Sequence, residues 1–340
     1  MTRHADVVAL LPDDADGVVL ESAAVVSWYL DGARTTVPIG GASVLAVLVT
    51  RDGHEIRCPV MELERLRREE GVTEAVAVPW TEPLVPETWA RDRAILREHD
   101  LDAELRAARA SLTPAEVERY RTLGRDAAVA MTREASGLRP DDTERVAAGR
   151  LADAVYAIGA EPVVLLVAGE RRLPHRHPLP TTAPLGQRAM LVLGARRHGL
   201  IVNLTRWVGR PDPAEQQLLA VEATVLDATH PGTPLADVLA TLQRAYPANG
   251  FDGDEWRNHH QGGPTGYLGR DPKVTPDTPG LVAEHQAFAW NPSAPGLKAE
   301  DTVLTTRGGV EILTHDPVWP TIAIAGRPRP QTMPYRSEQP

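Results

Sequence analysis

The strongest constraint on the fold of this chain is a helix-start pattern that occurs twice. Residues 113–116 (Thr-Pro-Ala-Glu) and 212–215 (Asp-Pro-Ala-Glu) each place a capping side chain before a proline, with a glutamate three positions after the cap. This pattern is a capping box with proline at the first helical position, and it predicts helices over 113–136 and 212–227. Further helices are predicted over 142–159 and 233–246. The chain therefore consists, in its larger part, of two similar blocks of helix, helix and strands.

The first third of the chain has a different pattern, in which short strands alternate with helices. Apolar runs at 17–20 and 44–49 predict strands, and Arg-Asp-Gly-His at 51–54 predicts a hairpin turn before a strand at 55–60. Residues 61–71 predict a charged helix. A charged, alanine-rich stretch from about 90 to 110 predicts a helical connector. We therefore expect a small α/β domain with its connector over 1–110 and an α+β domain over 111–340.

Composition restricts the classes of function. Apolar residues make up 42% and charged residues 24% of the 340 residues, which is ordinary globular usage. The formal net charge of −10 argues against a nucleic-acid partner, because phosphate binding needs clustered Lys and Arg. Neither a membrane span nor a signal peptide is predicted. The single cysteine, Cys58, fits a reducing compartment. We expect a cytoplasmic protein with a small-molecule or short-peptide partner, binding neither nucleic acid nor membrane.

Four motif blocks lie in a fixed order in the larger domain, at residues 174–178, 191–206, 258–267 and 287–305. The first is Pro-His-Arg-His-Pro, the third contains His-His-Gln-Gly-Gly-Pro-Thr-Gly, and the fourth contains Trp-Asn-Pro and Glu-Asp-Thr. In this order the blocks resemble the pita-bread metallopeptidases, namely aminopeptidase P, prolidase and methionine aminopeptidase, with their metal-free relative creatinase. Residues 27–34 resemble a turn near the start of the creatinase-type N-terminal domain.

The resemblance implies a fold and an assembly. The expected architecture is a small creatinase-like α/β domain followed by a pita-bread domain, in which two αβ halves enclose a curved antiparallel sheet. The resemblance also implies a homodimer in which the N-terminal domain, near Trp28, Tyr29 and Arg34, completes the partner's site.

The resemblance also assigns five metal-ligand positions, and four of them hold residues that bind metal weakly or not at all. The two aspartate positions hold Val192 and Asn203, the histidine position holds Pro264, and the two glutamate positions hold Asn291 and Glu300. Two divalent ions require several carboxylates to offset their charge and fill their coordination spheres. We therefore expect no dinuclear site, no metal and no cofactor.

The resemblance places a set of polar residues around the emptied positions. The expected acid/base residues are His260, His177 or His175, and Glu300, with Glu300 either orienting a histidine as a general base requires or binding a substrate amine. His259 is expected to be structural. The expected substrate-binding residues are Asn203, Arg206, Asn291, Tyr267, Arg270 and Asp271, with Arg206 or Arg270 holding a carboxylate.

The function that follows is a metal-independent enzyme acting on a small amino-acid-derived or amide-like substrate, by C–N bond hydrolysis with His and Glu as acid and base. The same groups could serve a non-hydrolytic lyase or cyclase. A non-catalytic pseudopeptidase that binds a peptide or small ligand is a further alternative. The residues at the ligand positions argue against a fourth hypothesis, an active Xaa-Pro metallo-aminopeptidase.

Overall fold

A computed structural model describes residues 3–336 of the chain. Residues 3–336 divide into two compact units, the first made of residues up to 110 with 198–200, and the second of residues 111–197 with 201–336. Within residues 3–336, no helix combines the length and the apolar character that crossing a bilayer requires.

The first unit is a five-stranded sheet with short helices. In chain order its elements are α1 (His4–Val8), β1 (Gly17–Leu20), α2 (Ala23–Tyr29), β2 (Ala46–Thr50), β3 (Gly53–Pro59), α3 (Leu63–Glu69), β4 (Val76–Val78), β5 (Ile95–Arg97) and α4 (Asp102–Ala110). The strand order is β4-β3-β2-β1-β5, with antiparallel pairs at the centre and parallel pairs at both edges.

Two predictions for this unit have different outcomes. The hairpin is confirmed, because Thr50 and Gly53 close the β2–β3 ladder. The helix predicted over 90–110 is wrong in its first half, where Ile95–Arg97 forms β5 and pairs in parallel with β1. Pairing with a buried strand outweighs the helix propensity of a charged, alanine-rich segment. Trp28 and Tyr29 are almost fully buried in this unit.

The second unit contains two helix pairs and the remaining strands. Its helices are α5 (Pro114–Ala135), α6 (Glu144–Ala157), α7 (Glu215–Ala228) and α8 (Leu235–Ala248). Its strands are β6 (Glu161–Gly169), β7 (Arg188–Arg197), β8 (Leu200–Gly209), β9 (Gly262–Thr265), β10 (Ala287–Trp290), β11 (Ser293–Ala294), β12 (Leu297–Lys298), β13 (Asp301–Thr306), β14 (Gly309–Ile312), β15 (Thr321–Ile324) and β16 (Arg327–Pro330). The two main sheets have the orders β6-β7-β8 and β14-β13-β10-β9.

The repeated helix-start pattern is realised differently at its two occurrences. At α5 the capping box forms, since Thr113 Oγ1 accepts from Glu116 N at 3.3 Å and Glu116 Oε2 accepts from Thr113 N at 2.8 Å. At α7 the box is absent and the helix begins only at Glu215. There Asp212 Oδ1 accepts from Ala214 N at 2.9 Å and its Oδ2 pairs with Arg188 at 3.1 Å, while Glu215 accepts from Thr332. The glutamate of the predicted box has a tertiary partner, and the aspartate divides its oxygens between a local amide and a tertiary arginine.

Strand β8 joins the two halves of this unit. Ile201 N donates to Gly266 O at 2.8 Å, and Thr205 N donates to Glu300 O at 3.0 Å. A helix pair, α7 and α8, covers the second half with Val221 and Leu242 packed in one core with Phe288 and Trp290. The predicted α+β class, with antiparallel strands enclosed by two αβ halves, is confirmed.

A buried network of alternating positive and negative side chains lies at the start of β13, around Asp301. Asp301 accepts from Arg206 at 2.8 Å and from Arg329 at 2.7 Å, and Arg329 also bonds Glu222 at 2.5 Å. The side chains in these pairs are 5% exposed or less. The network connects α7 with β8, β13 and β16.

Candidate functional site

Strands of the second unit bring together four of the five assigned positions. Pro264 on β9 pairs with β10, whose last residue precedes Asn291. Asn203 Nδ2 donates to Thr265 Oγ1 at 3.3 Å, which sets β8 beside β9. Glu300 precedes β13 and accepts from Thr205 of β8. Motifs that are separate along the chain therefore place these four residues in one cluster.

The side chains at these positions do not fit a two-metal centre. Val192 packs in an apolar cluster with Met190 and Trp207, and neither its side chain nor that of Pro264 offers a ligand atom. Asn203 and Asn291 are buried but neutral. The carboxylate of Glu300 alone cannot offset the charge of two divalent ions.

Glu300 is the centre of a buried ion cluster. Its Oε1 accepts from an Arg270 guanidinium nitrogen at 2.6 Å, and its Oε2 accepts from Lys298 Nζ at 2.8 Å and from Thr205 Oγ1 at 2.8 Å. All three charged side chains are at most 10% exposed. One carboxylate thus holds two cations.

The electrostatics of this cluster fix Glu300 as an anion. Burial alone would raise the pKa of its carboxyl, but Lys298 and Arg270 outweigh burial and lower the pKa to about 2. The expectation that Glu300 orients a histidine is not met, because its carboxylate bonds Thr205, Arg270 and Lys298. Lys298 was missed at the sequence level, although it stands two residues before Glu300 on the same side of an extended segment.

Three histidines from two separate segments meet beside this cluster. One ring nitrogen of each of His177, His259 and His260 lies within 4.8 Å of the others. His177 Nε2 and His259 Nε2 are 3.1 Å apart, and the His259 and His260 ring centroids are 4.4 Å apart. His259 is buried, His260 is half-buried and His177 is exposed. The two histidine-bearing motifs, remote in sequence, therefore form one group that opens to solvent at His177.

Neighbouring contacts hold both segments in place. Arg176, next to His177, forms a salt bridge with Glu255 in the 3₁₀ turn that precedes His259. Ser293 Oγ lies 3.3 Å from His259 Nδ1, and Gln261 Nε2 donates to the His259 carbonyl at 2.7 Å. The imidazoles are thus positioned by contacts on both sides of the cluster.

The surroundings keep all three imidazoles neutral. Burial lowers the pKa of His259 to about 2, with further lowering by Lys298 and the two other histidines. Burial lowers the pKa of His260 to about 3, with Arg270 and Lys273 adding to the effect. For His177 burial and then Lys298 lower the pKa in the same direction. Near neutral pH each ring therefore has an unprotonated nitrogen.

The remaining predicted residues divide between this region and others. Arg270 is in the ion cluster, and Asp271 follows it with its amide bonded to Pro264 O at 2.8 Å. Arg206 lies on the opposite face of β8 from Thr205. Its guanidinium donates hydrogen bonds there to Asp301 and to the Thr314 carbonyl. That placement assigns it to the buried network described above, so it does not face the histidines.

Two further predicted residues contact other groups. His175 is exposed and lies outside the three-histidine group, although it borders a small cavity with His259 and Lys298. Tyr267 is buried, and its hydroxyl donates to Glu116 Oε1 at 2.7 Å, at the N-terminus of α5. Tyr267 therefore braces the first capping box.

The glycines after the histidines have a steric role. Gly262 has φ +98°, and a Cβ there would lie 2.1 Å from Ala289 O and 2.8 Å from Asn291 Oδ1. Gly263 has φ +142°, and a Cβ there would lie 2.6 Å from Pro272 O. Only glycine fits both the conformation and the space. The strand can therefore pass close to Asn291 and still pair with β10.

Comparison with known proteins identifies the fold. No protein-family model matches the chain. A dipeptidase, PepE, from Mycobacterium ulcerans superposes with a TM-score of 0.75 at 18% identity, over 98% of this chain and 96% of the other. The prolidase from Pyrococcus horikoshii gives 0.74 at 18% identity, over 92% and 98%. The X-Pro aminopeptidase from Thermotoga maritima gives 0.75 at 16%, over 93% and 98%. The chain has the pita-bread fold.

Curated sequences of low identity to this chain are also named as peptidases. An uncharacterized peptidase of Staphylococcus aureus strain MW2 is 22% identical over 310 residues, covering 80% of this chain and 88% of the relative. A second, from strain MRSA252, matches with the same identity and coverage. The predicted resemblance to the aminopeptidase P and prolidase group is therefore confirmed at the level of fold and peptidase-like relatives.

Proposed function

We propose that this protein is a peptidase-like hydrolase that cleaves a C–N bond in a small amino-acid-derived or short-peptide substrate without a dinuclear metal centre. The observation that carries the proposal is the pairing of Glu300 with Lys298 and Arg270 at 2.8 Å and 2.6 Å. In a two-metal hydrolase this surviving carboxylate would bind metal. Here two protein cations occupy its oxygens.

Charge supports this assignment. A divalent ion at Glu300 would have to displace Lys298 or Arg270 from a buried carboxylate and would then lie beside an unpaired cation. Losing one partner of a buried ion pair is costly, on the order of 3–5 kcal/mol. The other assigned positions, Asn203, Asn291, Val192 and Pro264, supply no further carboxylate to compensate.

The histidines supply the base in this proposal. His177 and His260 are neutral and reach solvent, so either can accept a proton from a water molecule. The water oxygen then forms a bond to the substrate carbonyl carbon, the C–N bond breaks, and the protonated imidazole returns its proton to the leaving nitrogen. A binding protein without turnover would keep the same cleft but would not depend on a proton acceptor.

Turnover of a substrate panel tests the proposal. Purified wild-type protein is incubated with Xaa-Pro and other dipeptides and with N-acylated and N-carbamoylated amino acids, and amine release is measured. We expect at least one substrate to be cleaved, with the rate falling about 100-fold or more when His177 and His260 are both replaced by alanine. The matched control is His99→Ala in the first unit, whose side chain is 79% exposed and which should retain the wild-type rate.

Metal analysis of the same preparation tests the second half of the proposal. We expect fewer than two transition-metal ions per chain after incubation with Mn²⁺ or Co²⁺ and gel filtration. Two bound ions that are lost in Glu300→Gln would contradict it. Ligand binding without any amine release would identify a binding protein instead.

A further inference from the structure

We infer that His177, His259 and His260 form a binding site for a single divalent transition-metal ion, of which Zn²⁺ is the best match. The site uses none of the five positions assigned to the two-metal centre. The inference goes beyond the proposed function and does not depend on it: the imidazoles that act as bases in the metal-free protein are ligands in the loaded one.

The spacing of the rings suits one ion. Zinc binds imidazole nitrogen at about 2.0–2.1 Å in a tetrahedral arrangement, which places two ligand nitrogens about 3.4 Å apart. His177 Nε2 and His259 Nε2 are 3.1 Å apart. The His260 ring nitrogen falls within 4.8 Å of the other two, so a small rotation of a half-buried ring completes the triangle.

The contacts of the individual nitrogens point to a missing partner. His260 Nδ1 is buried and has no hydrogen-bond partner among the described residues. A buried polar nitrogen left without a partner is costly. His259 Nδ1 lies 3.3 Å from Ser293 Oγ, which leaves Nε2 directed at the cluster. A hydrogen bond to the non-ligating nitrogen is the usual support for a metal-binding histidine.

The ligand set selects the kind of ion. Three imidazole nitrogens with no carboxylate among them suit Zn²⁺, Co²⁺, Ni²⁺ or Cu²⁺ and do not suit Mg²⁺, Ca²⁺ or Mn²⁺. Three protein ligands also leave a fourth tetrahedral position open, as in catalytic and not structural zinc sites. The exposure of His177 gives that position a path to solvent.

The neighbouring charges oppose an ion and limit its affinity. Lys298 and Arg270 carry two positive charges against the single negative charge of Glu300, and Lys273 also acts on His177 and His260. The local balance is positive, so cation binding is weaker than three imidazoles alone would give. Removing the positive charge of Lys298 should therefore tighten binding.

Zinc titration of the full chain tests the site without a substrate. Protein freed of metal with a chelator is titrated with Zn²⁺ by calorimetry, and with Co²⁺ by visible absorption, which reports tetrahedral geometry. We expect one ion per chain, no competition from excess Mg²⁺, and affinity reduced at least 100-fold in His177→Ala and His260→Ala. Lys298→Met should bind several-fold more tightly than wild type.

The controls separate a built site from histidine content. His175→Ala removes an exposed histidine two residues from His177 and should leave the affinity unchanged, as should His99→Ala. Circular dichroism checks that each variant is folded. Because His177 is exposed, His177→Ala is expected to fold like the wild type. Unchanged affinity in His177→Ala and His260→Ala, or no binding by wild type, would overturn the inference. Either result would leave the amine-release assay standing.

Discussion

At the scale of single residues, the candidate site is organised around Glu300. Its buried carboxylate is shared by Lys298, Arg270 and Thr205. A carboxylate in this setting stabilises the fold only while its cations are present, because each buried charge needs the other. The position is therefore structural as well as electrostatic, and its role can be separated from that of the histidines by substitution.

Glu300→Gln is expected to destabilise the protein by about 3–5 kcal/mol, because Lys298 and Arg270 would remain buried without a counter-charge. Urea unfolding followed by circular dichroism measures the loss. The control is Glu311→Gln, which removes an ion pair with Arg121 whose side chains are 36% and 44% exposed. That change should cost no more than about 1 kcal/mol. Equal losses in the two variants would show that the cluster is not electrostatically coupled.

Residue identity alone could predict part of this site. The histidines at 177 and 260 stood out because they fall in two motif blocks, and the structure brings them together. Lys298 and the Glu300 pairing could not be foreseen, because a lysine before a strand is ordinarily solvated and only burial makes it a partner. His259 was expected to be structural, yet its ring joins the other two, with its centroid 4.4 Å from that of His260.

At the scale of secondary-structure elements, the same start signal gives a complete capping box at α5 and no capping box at α7. Local sequence predicted both helices, because proline and a glutamate three positions after the cap favour helix initiation wherever they occur. It could not predict that Asp212 would pair with Arg188. The reciprocal bonds of a capping box are local, and they do not form at α7 because Glu215 bonds Thr332 instead.

Thr113→Ala is expected to lower the free energy of unfolding by about 1 kcal/mol, because the first turn of α5 loses its side-chain acceptor. Chemical denaturation measures the effect. The matched control, Thr122→Ala, removes an exposed hydroxyl within the same helix and should be neutral or slightly stabilising, since alanine is the better helix former. A loss in Thr122→Ala as large as that in Thr113→Ala would contradict the capping role.

At the scale of the whole molecule, two groups of shifted pKa values determine how stability responds to acid. His259 and His260 have pKa values lowered from 6.5 to about 2 and 3. The unfolded chain therefore takes up protons first as the pH falls below 6.5, and stability decreases. Glu300, with a pKa lowered from 4.5 to about 2, has the same effect in the window from about pH 4.5 to 2.

The metal-free protein should accordingly lose stability in two overlapping pH windows. His260→Gln should flatten the decrease between about pH 6.5 and 3, and Glu300→Gln should flatten only the decrease between about pH 4.5 and 2. Urea midpoints measured at half-unit pH steps give both profiles, and each variant is the control for the other. Parallel curves for wild type and both variants would show that these groups do not carry the linkage.

The steric requirement at Gly262 and Gly263 affects how sequence conservation in this protein should be interpreted. Their backbones occupy space that no side chain can share, whatever the site catalyses. Selection on folding alone would therefore keep both positions unchanged through a switch of substrate or a loss of turnover. In an alignment of related sequences, invariant glycines at these two positions would therefore reflect the fold. Changes in catalytic chemistry would be seen as substitutions at the histidines and at Lys298.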